Sequence, residues 1–332
     1  MKPLFPNTIK LLGCLLLALL FQSCLKKSGA WRNGQIPTDK RNDFHKLNQQ
    51  LFNDLKTDNK NDIRFLESKE MLSTPYTLRE MEQVGNRLKA ADYDIYDEYY
   101  IVNKYRSGDT VVNNSAGINS YTMIYNGIEH EMYIALFTPK SRALANQDMI
   151  TVLYSKYNYG WKITSVSVNP YRINGKTAPE LYAVAEAKFN QNKFVDARLT
   201  LELALQCNAP NDYWRYNHLD NVGKLYQQAV NITMDKYKFP VVIDNVAGQP
   251  RIFRMTNQKS DDGWFPVIDY VTRINIKDTT AVKKQNMEIR VAISKMFPGI
   301  DEDKKYIFYS ACEKSPAGNG TVAHFDMVDK LR

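Results

Sequence analysis

Histidine and cysteine are the side chains in this chain best suited to metal binding or acid–base catalysis, and there are four of each. His130 is the most informative of them. Strand alternation places it on the same face as Ile128, Met132 and Ile134, so we expect its ring to point into the apolar interior of a sheet. Two roles fit this position. The commoner one is a core or sheet-end histidine satisfied by one hydrogen bond, and the other is an acid–base group in a pocket.

Aromatic side chains crowd the strands around this histidine. Such rings stabilise cross-strand pairs, which is their ordinary role, but a ring also offers an apolar face and a polar edge to a carbohydrate or peptide. If this region holds a ligand, we expect the pocket to be lined by His130, Tyr125, Tyr154 and Trp161.

The other histidines and the acidic runs show no metal or catalytic spacing. His45 and His324 are expected at the surface, and His218 against aromatic rings of a helix. Asp301-Glu302-Asp303 lacks the glycine and distal glutamate of a calcium loop, so we expect a solvated turn. No phosphate-loop, nucleophile-elbow or zinc-protease motif is present. The sequence therefore predicts no catalytic residue, no metal and no cofactor, and an enzyme is the less favoured class.

Length and composition predict a folded chain of several modules. With 332 residues, 44% apolar and 12% aromatic, the chain has ample surface to bury and is too long for one ordinary core. The formal net charge of +8 is mild for this length and is not concentrated in one motif. A nucleic-acid partner is therefore not expected.

The first 24 residues have the anatomy of a secretory signal. Lys2 and Lys10 precede an apolar run over residues 11–21, which is too short to span a bilayer, and Ser23-Cys24 follows. This segment resembles the signal of bacterial lipoproteins, in which a cysteine is lipidated after cleavage. Cys14 fits the consensus before the cysteine better but leaves almost no apolar region, so we assign Cys24.

The resemblance implies a protein held in the bilayer of the cell envelope by acyl chains such as palmitate. Residues 1–23 are then the signal peptide, and residues 24–41 are the lipidated cysteine and a basic tether. The tether is either a solvated linker, which we favour, or a stretch attracted to anionic head groups. Leu25 stands where many inner-membrane lipoproteins carry aspartate, which favours the outer membrane, with the folded part in the periplasm or at the surface.

Two cysteines remain after the signal and the lipidation site, Cys207 and Cys312. They lie far apart in the chain and outside any redox spacing. An envelope compartment permits a disulfide between them, and separate buried thiols are an equal alternative.

Residues 42–172 are predicted to place helices on a bent antiparallel sheet. Helical spacing follows Asn42 and a capping box begins at Thr77, after which the pattern changes to aromatic strands. Asn126-Gly127 and Asn158-Tyr159-Gly160 predict two hairpins. The order of elements resembles the nuclear-transport-factor-like or cystatin-like fold, in which the cone between helix and sheet is either a ligand site or packed with side chains.

Residues 173–236 predict a helical connector. Residues 181–205 follow the small and large alternation of one tetratricopeptide repeat, which the segment resembles, and a third helix is predicted over Asp212 to Asp235. Because one repeat is too few to be stable alone, these helices must pack on neighbouring modules.

Residues 237–332 predict a small mixed α/β domain. Two short strands come first, then an alternating strand from Trp264 to Ile276, a helix beginning at Thr279 or Thr280, and a strand from Tyr306 to Cys312. Strand, helix, strand is the order of a parallel crossover.

The fold class is thus α+β, and the favoured function is that of a binding or scaffold protein in the envelope. Its partners would be the lipid bilayer, through Cys24, and an envelope protein or a small ligand. The alternative is an envelope enzyme with a pocket in the first domain that uses His130 as acid or base.

Overall fold

The computed structural model describes residues 28–74, 77–316 and 322–331. The predicted signal peptide and Cys24 lie outside these ranges. Within them the chain is α+β, as predicted, with eight helices and three sheets. None of the helices described there combines the length and the apolar character needed to cross a bilayer.

The first sheet is antiparallel, with the order β1-β2-β5-β6-β7. Its strands are β1 Gly29–Arg32, β2 Tyr93–Val102, β5 Glu131–Pro139, β6 Gln147–Tyr157 and β7 Gly160–Arg172. Residues of β2 and β5 are buried on both faces, so the sheet separates two cores.

Four helices cover one face of this sheet: α1 Thr38–Thr57, α2 Lys60–Leu66, α3 Lys69–Leu72 and α4 Thr77–Ala90. The 3.6-residue period predicted for α1 is confirmed, because Phe44, Leu51 and Leu55 are buried against the sheet. Met81 and Val84 of α4 complete this core.

The prediction of a tether up to residue 41 is wrong for residues 29–41. Strand β1 pairs with β2, Ile36 is buried, and α1 begins at Thr38. The basic side chains that suggested a linker, Arg32 and Arg41, instead pair with buried acids of β2.

A second, three-stranded sheet has the order β3-β4-β8. Its strands are β3 Gly108–Asn113, β4 Tyr121–Asn126 and β8 Trp214–Tyr216. The predicted Asn126-Gly127 hairpin is therefore wrong, because β4 pairs with β3 and β8 and not with β5. Neither residue has the positive φ of a type I′ turn, and the Gly127 amide donates to the Ser107 carbonyl. The Asn158-Tyr159-Gly160 hairpin is confirmed, since Tyr157 pairs with Gly160.

The central helices are α5 Ala178–Asn190, α6 Phe194–Gln206 and α7 Val222–Tyr237. The predicted pair α5–α6 is confirmed, and Thr177 with Glu180 forms a capping box at its start. The third helix begins at Val222 and not near Asp212, because residues 214–216 are recruited as β8. Helix α6 packs on both neighbouring modules, with Leu201 in the core shared with the first sheet and Leu199 in the core of the last module. This agrees with the expectation that one repeat must pack on its neighbours.

The last sheet has the order β13-β12-β11-β10-β9. Its strands are β9 Val241–Val242, β10 Arg251–Ser260, β11 Gly263–Val271, β12 Tyr306–Cys312 and β13 His324–Lys330, and α8 spans Thr279–Met296. The predicted crossover is confirmed, because β11 and β12 are parallel and α8 lies between them in the chain. The strand predicted to reach Ile276 ends at Val271, and β13 was not predicted. Cys207 and Cys312 are separate buried thiols.

The acidic run Asp301-Glu302-Asp303 lies in a turn with Glu302 and Asp303 exposed, as predicted, and these two carboxylates also form ion pairs that were not predicted. Asp303 lies 2.8 Å from Lys188 of α5, and Glu302 lies 2.5 Å from Lys193. Lys188 also lies 2.8 Å from Asp196, which is 1% exposed. These ion pairs join the last module to the helical pair.

Candidate ligand-binding cleft

The predicted inward position of His130 is wrong. The histidine is exposed in a bend before β5, and its carbonyl accepts a hydrogen bond from the Asn103 amide. The physical reason is the missing hairpin. Because β4 belongs to another sheet, residues 127–130 connect two sheets and strand alternation begins only at Glu131.

The other three predicted pocket residues lie in two different cores. Tyr125 is buried between the first sheet and the central helices, whereas Tyr154 and Trp161 lie in the core beneath α1. The structure thus brings Tyr154 and Trp161 into one cluster, and it separates them from Tyr125 and from His130. These four side chains do not form one pocket.

The space between α1 and the first sheet is filled with aromatic rings. Phe44 stacks on Tyr133 with a centroid separation of 4.0 Å, and it meets Trp161 edge-on at 5.0 Å. Tyr154 is 1% exposed beside them. This interior is therefore a core of closely packed rings.

Two adjacent buried carboxylates in β2 were missed by the sequence reasoning. The strand ladder skips Tyr96, and this bulge sets the faces to which Asp97 and Glu98 point. Asp97 accepts hydrogen bonds from Arg32 Nε at 2.9 Å, Asn113 Nδ2 at 3.0 Å and Tyr121 OH at 2.5 Å. It is a fully satisfied group that holds β1 and the second sheet to β2.

Glu98 is fully buried on the opposite face and is equally satisfied. Arg41 Nε and His45 Nε2 of α1 lie 2.5 Å and 3.0 Å from its carboxylate, and Tyr133 OH donates to it at 2.8 Å. His45, predicted at the surface, is only partly exposed and lies against Glu98. The i, i+4 spacing of Arg41 and His45 was the available signal. With these three partners Glu98 serves to fasten α1 to the sheet.

The open space in the first domain lies elsewhere, between α1, α2 and α4. We call it the helical cleft. Its volume is about 380 Å³, within the range of small-molecule sites. Gly85 allows α4 to come close to α1, because a Cβ atom there would lie 3.0 Å from the Leu55 carbonyl oxygen. The cleft is lined by Leu55, Asp58, Lys60, Ile63, Arg64, Glu67, Leu78, Met81, Glu82, Gly85, Asn86 and Lys89.

Glu67 is the unusual side chain of the cleft. It is 5% exposed and lines the cavity, yet it has no hydrogen bond or ion pair with any described residue. Its backbone is fixed by a bridge to Ile163 of β7, where the next amide, that of Ser68, donates to the Ile163 carbonyl at 2.8 Å. Burial raises the pKa of Glu67, and the charge of Arg64 opposes this rise. The residue as a whole is buried, but its carboxyl oxygens still reach the open cleft, where a ligand group could take the place of water as their partner.

The mouth of the cleft is apolar on one side and charged around the rest. A second hollow of about 230 Å³ continues from it and shares Arg64, Glu67 and Leu78. Leu78 is 62% exposed and Leu72, in the second hollow, is 42% exposed. The remaining charged rim residues, Asp58, Lys60, Glu82 and Lys89, are also exposed.

The ionisable side chains of the cleft are carboxylates, lysines and an arginine. Among the described residues that line it there is no histidine, cysteine, serine or threonine. Within the described ranges, no three histidine, cysteine or acidic side chains gather where a metal could be held. The arrangement offers an apolar floor and one buried carboxyl, which are elements of ligand recognition. No protein-family model, curated protein or solved structure matches this chain.

Proposed function

We propose that this chain is a bacterial lipoprotein of the cell envelope that works by binding, with the helical cleft of its first domain as the binding site. One observation carries the proposal. The sheet interior is closed by packed rings, whereas the neighbouring cleft is open and holds a buried carboxyl without a partner. That combination supports a ligand-binding or scaffold protein.

The alternative of an enzyme using His130 gains no support from the geometry. His130 is exposed in a connection between two sheets, and the aromatic residues expected around it lie in two other cores. A general base must lie within hydrogen-bond reach of the group it deprotonates, and it needs a site that excludes water. His130 has no such surroundings in the described part of the chain.

The membrane anchor rests on the amino-terminal sequence. Several acyl chains on Cys24 would hold the protein permanently, whereas one chain binds only marginally. We expect Cys24→Ser to move the protein from the membrane fraction to the soluble fraction, or to leave it unprocessed. Immunoblotting of fractionated cells measures this. Full membrane retention with normal processing in Cys24→Ser would exclude the anchor.

The binding site is tested by native mass spectrometry of the intact lipoprotein extracted from membranes. We expect a bound small molecule, seen as extra mass that is lost on denaturation. Asn86→Trp places a large ring in the cleft and should abolish this mass, whereas Gln83→Trp, on the exposed face of the same helix and outside the cleft lining, should retain it. No bound molecule in the wild type, or equal retention in both variants, would reject the cleft as the site.

A further inference from the structure

We propose that the helical cleft selects ligands that carry an organic ammonium group on an apolar chain, with the carboxyl of Glu67 accepting the ammonium. This inference rests on the proposed function, because it names the ligand class for the same cleft. Its first support is the state of Glu67, which is 95% buried in the cleft wall and lacks a polar partner among the described residues.

Two other buried acids of this domain differ from Glu67 in their partners. Asp97 and Glu98 are as buried as Glu67, and each is surrounded by donors from arginine, tyrosine and other side chains. Only Glu67 of these three faces an open cavity. A buried carboxylate is stable when a charged donor satisfies it, and the donor missing from the chain can be supplied by a ligand.

The remainder of the cleft defines the rest of the ligand. Leu55, Ile63 and Met81 are buried residues that form its floor, and Leu78 extends the apolar surface to the mouth. This surface suits an unbranched or branched hydrocarbon chain attached to the ammonium group. A purely polar cation would leave the floor without contacts.

The charges at the rim do not oppose this assignment. Lys60, Arg64 and Lys89 are balanced in part by Asp58 and Glu82, and all five are exposed to solvent. Arg64 is three residues from Glu67, yet it makes no ion pair with it within 4.0 Å. Exposed charges are screened by water and salt, so the buried carboxyl determines which sign of ligand charge is favoured.

The test uses calorimetric titration of the full lipoprotein in nanodiscs, with empty nanodiscs as the blank. The probes are hexylamine, hexanol and hexanoate, which share one chain and differ in charge. We expect hexylamine to bind at least about tenfold more tightly than the other two, because a charge-assisted hydrogen bond is worth this much. Glu67→Gln should remove the preference, whereas Glu82→Gln, at the exposed rim, should retain it.

The wild-type preference is measured independently of whether Glu67→Gln folds. Equal affinity for the three probes, tighter binding of hexanoate, or a preference that survives in Glu67→Gln would overturn the inference. Asn86→Trp then separates the two proposals. If hexanol or hexanoate binds at least as tightly as hexylamine and this variant abolishes the binding, the ligand class is wrong and the cleft remains the site. If no probe binds and no small molecule is found on the extracted protein, the proposed function fails as well.

Discussion

At the scale of single residues, the role of each buried acid in the first domain follows from its partners. Glu98 has Arg41, His45 and Tyr133 around it, whereas Glu67 has none among the described residues. The carboxylate of Glu98 therefore holds α1 to the sheet, whereas that of Glu67 is a candidate ligand-binding group. The difference arises from which side chains the fold brings near each carboxyl.

Glu98→Gln tests the fastening role. The neutral amide leaves Arg41 without its carboxylate and turns one acceptor oxygen into a donor facing Tyr133 and His45. We expect a loss of about 2 kcal/mol in the free energy of unfolding, below the cost of a wholly buried pair because Arg41 is partly exposed. Urea denaturation of purified protein measures it.

The matched control is Asp94→Asn in the same strand. Asp94 pairs with Lys140 at 3.4 Å, and both side chains are mostly exposed, so its loss should change the unfolding free energy by less than about 0.5 kcal/mol. If the two variants were equally stable, Glu98 would not hold α1 to the sheet.

Little of the candidate site could be predicted from individual residues. Glu67 follows a short helix and has no sequence neighbour that marks it as buried, because its burial depends on β7, which lies far along the chain. His130 was assigned by strand alternation, which fails where a segment is a connection and not a strand. A sequence pattern indicates which face of a strand or helix is buried, but it does not indicate which side chains from distant parts of the chain contact that face.

At the scale of elements, α1 is fixed to the first sheet by Phe44, which is fully buried against Tyr133 and Trp161. We expect Phe44→Ala to destabilise the protein by about 3 kcal/mol, because it removes a ring from a packed core and leaves a cavity. Phe65→Ala is the control, since Phe65 is 73% exposed, and its effect should be within about 0.5 kcal/mol. Thermal or urea unfolding compares them, and equal effects would contradict a packed interior.

The elements themselves were predicted well where local period or turn chemistry decides. The spacing of apolar residues gave α1, and the turn at Gly160, with a φ of +112°, gave the β6–β7 hairpin. The Asn126-Gly127 prediction failed because β4 pairs with β3 and with β8, and the pairing with β8 joins segments that lie far apart in the chain. Strand β8 was not predicted because three residues are too few to show the alternation of a strand, and because its partner β4 lies far away in the chain.

At the scale of the whole molecule, a network of ion pairs joins the central helices to the last module. Asp196 is buried between Lys188 and Lys304, each 2.8 Å away, and Asp303 lies 2.8 Å from Lys188. Burial acts to lower the pKa of Lys188, but Asp196 and Asp303 outweigh it and the pKa is raised. The central helices and the last module therefore meet at a cluster of ion pairs formed by Lys188, Asp196, Asp303 and Lys304, which we call the charged junction.

The acid dependence of stability should report on this junction. Burial acts to raise the pKa of Asp303, but Lys304 and Lys188 outweigh it and lower the pKa to about 2, from an ordinary value of 3.8. A carboxyl whose pKa is lower in the folded state stabilises the fold above its unfolded pKa. That contribution is lost as the pH falls through the folded pKa, so the window runs from about pH 4 to about pH 2.

We therefore expect Asp303→Asn to show a smaller decrease in melting temperature than the wild type across that window. Asp261→Asn, in the exposed β10–β11 turn, should follow the wild-type curve. Melting temperatures by circular dichroism at pH 5 to 2 provide the comparison. If the melting temperature of Asp303→Asn fell with pH as steeply as that of the wild type, the Asp303 carboxylate would contribute nothing to the stability of the junction.

The central claim is that ligands enter the helical cleft and not the sheet interior. Hydrogen exchange measured by mass spectrometry, on the full lipoprotein with and without saturating hexylamine, locates binding directly. We predict slower exchange in residues 60–67 and 78–89, which line the cleft, and unchanged exchange in β2 and β5, which enclose the ring-filled core. Protection centred on β5 and the segment around His130, with none in α2 or α4, would contradict the account.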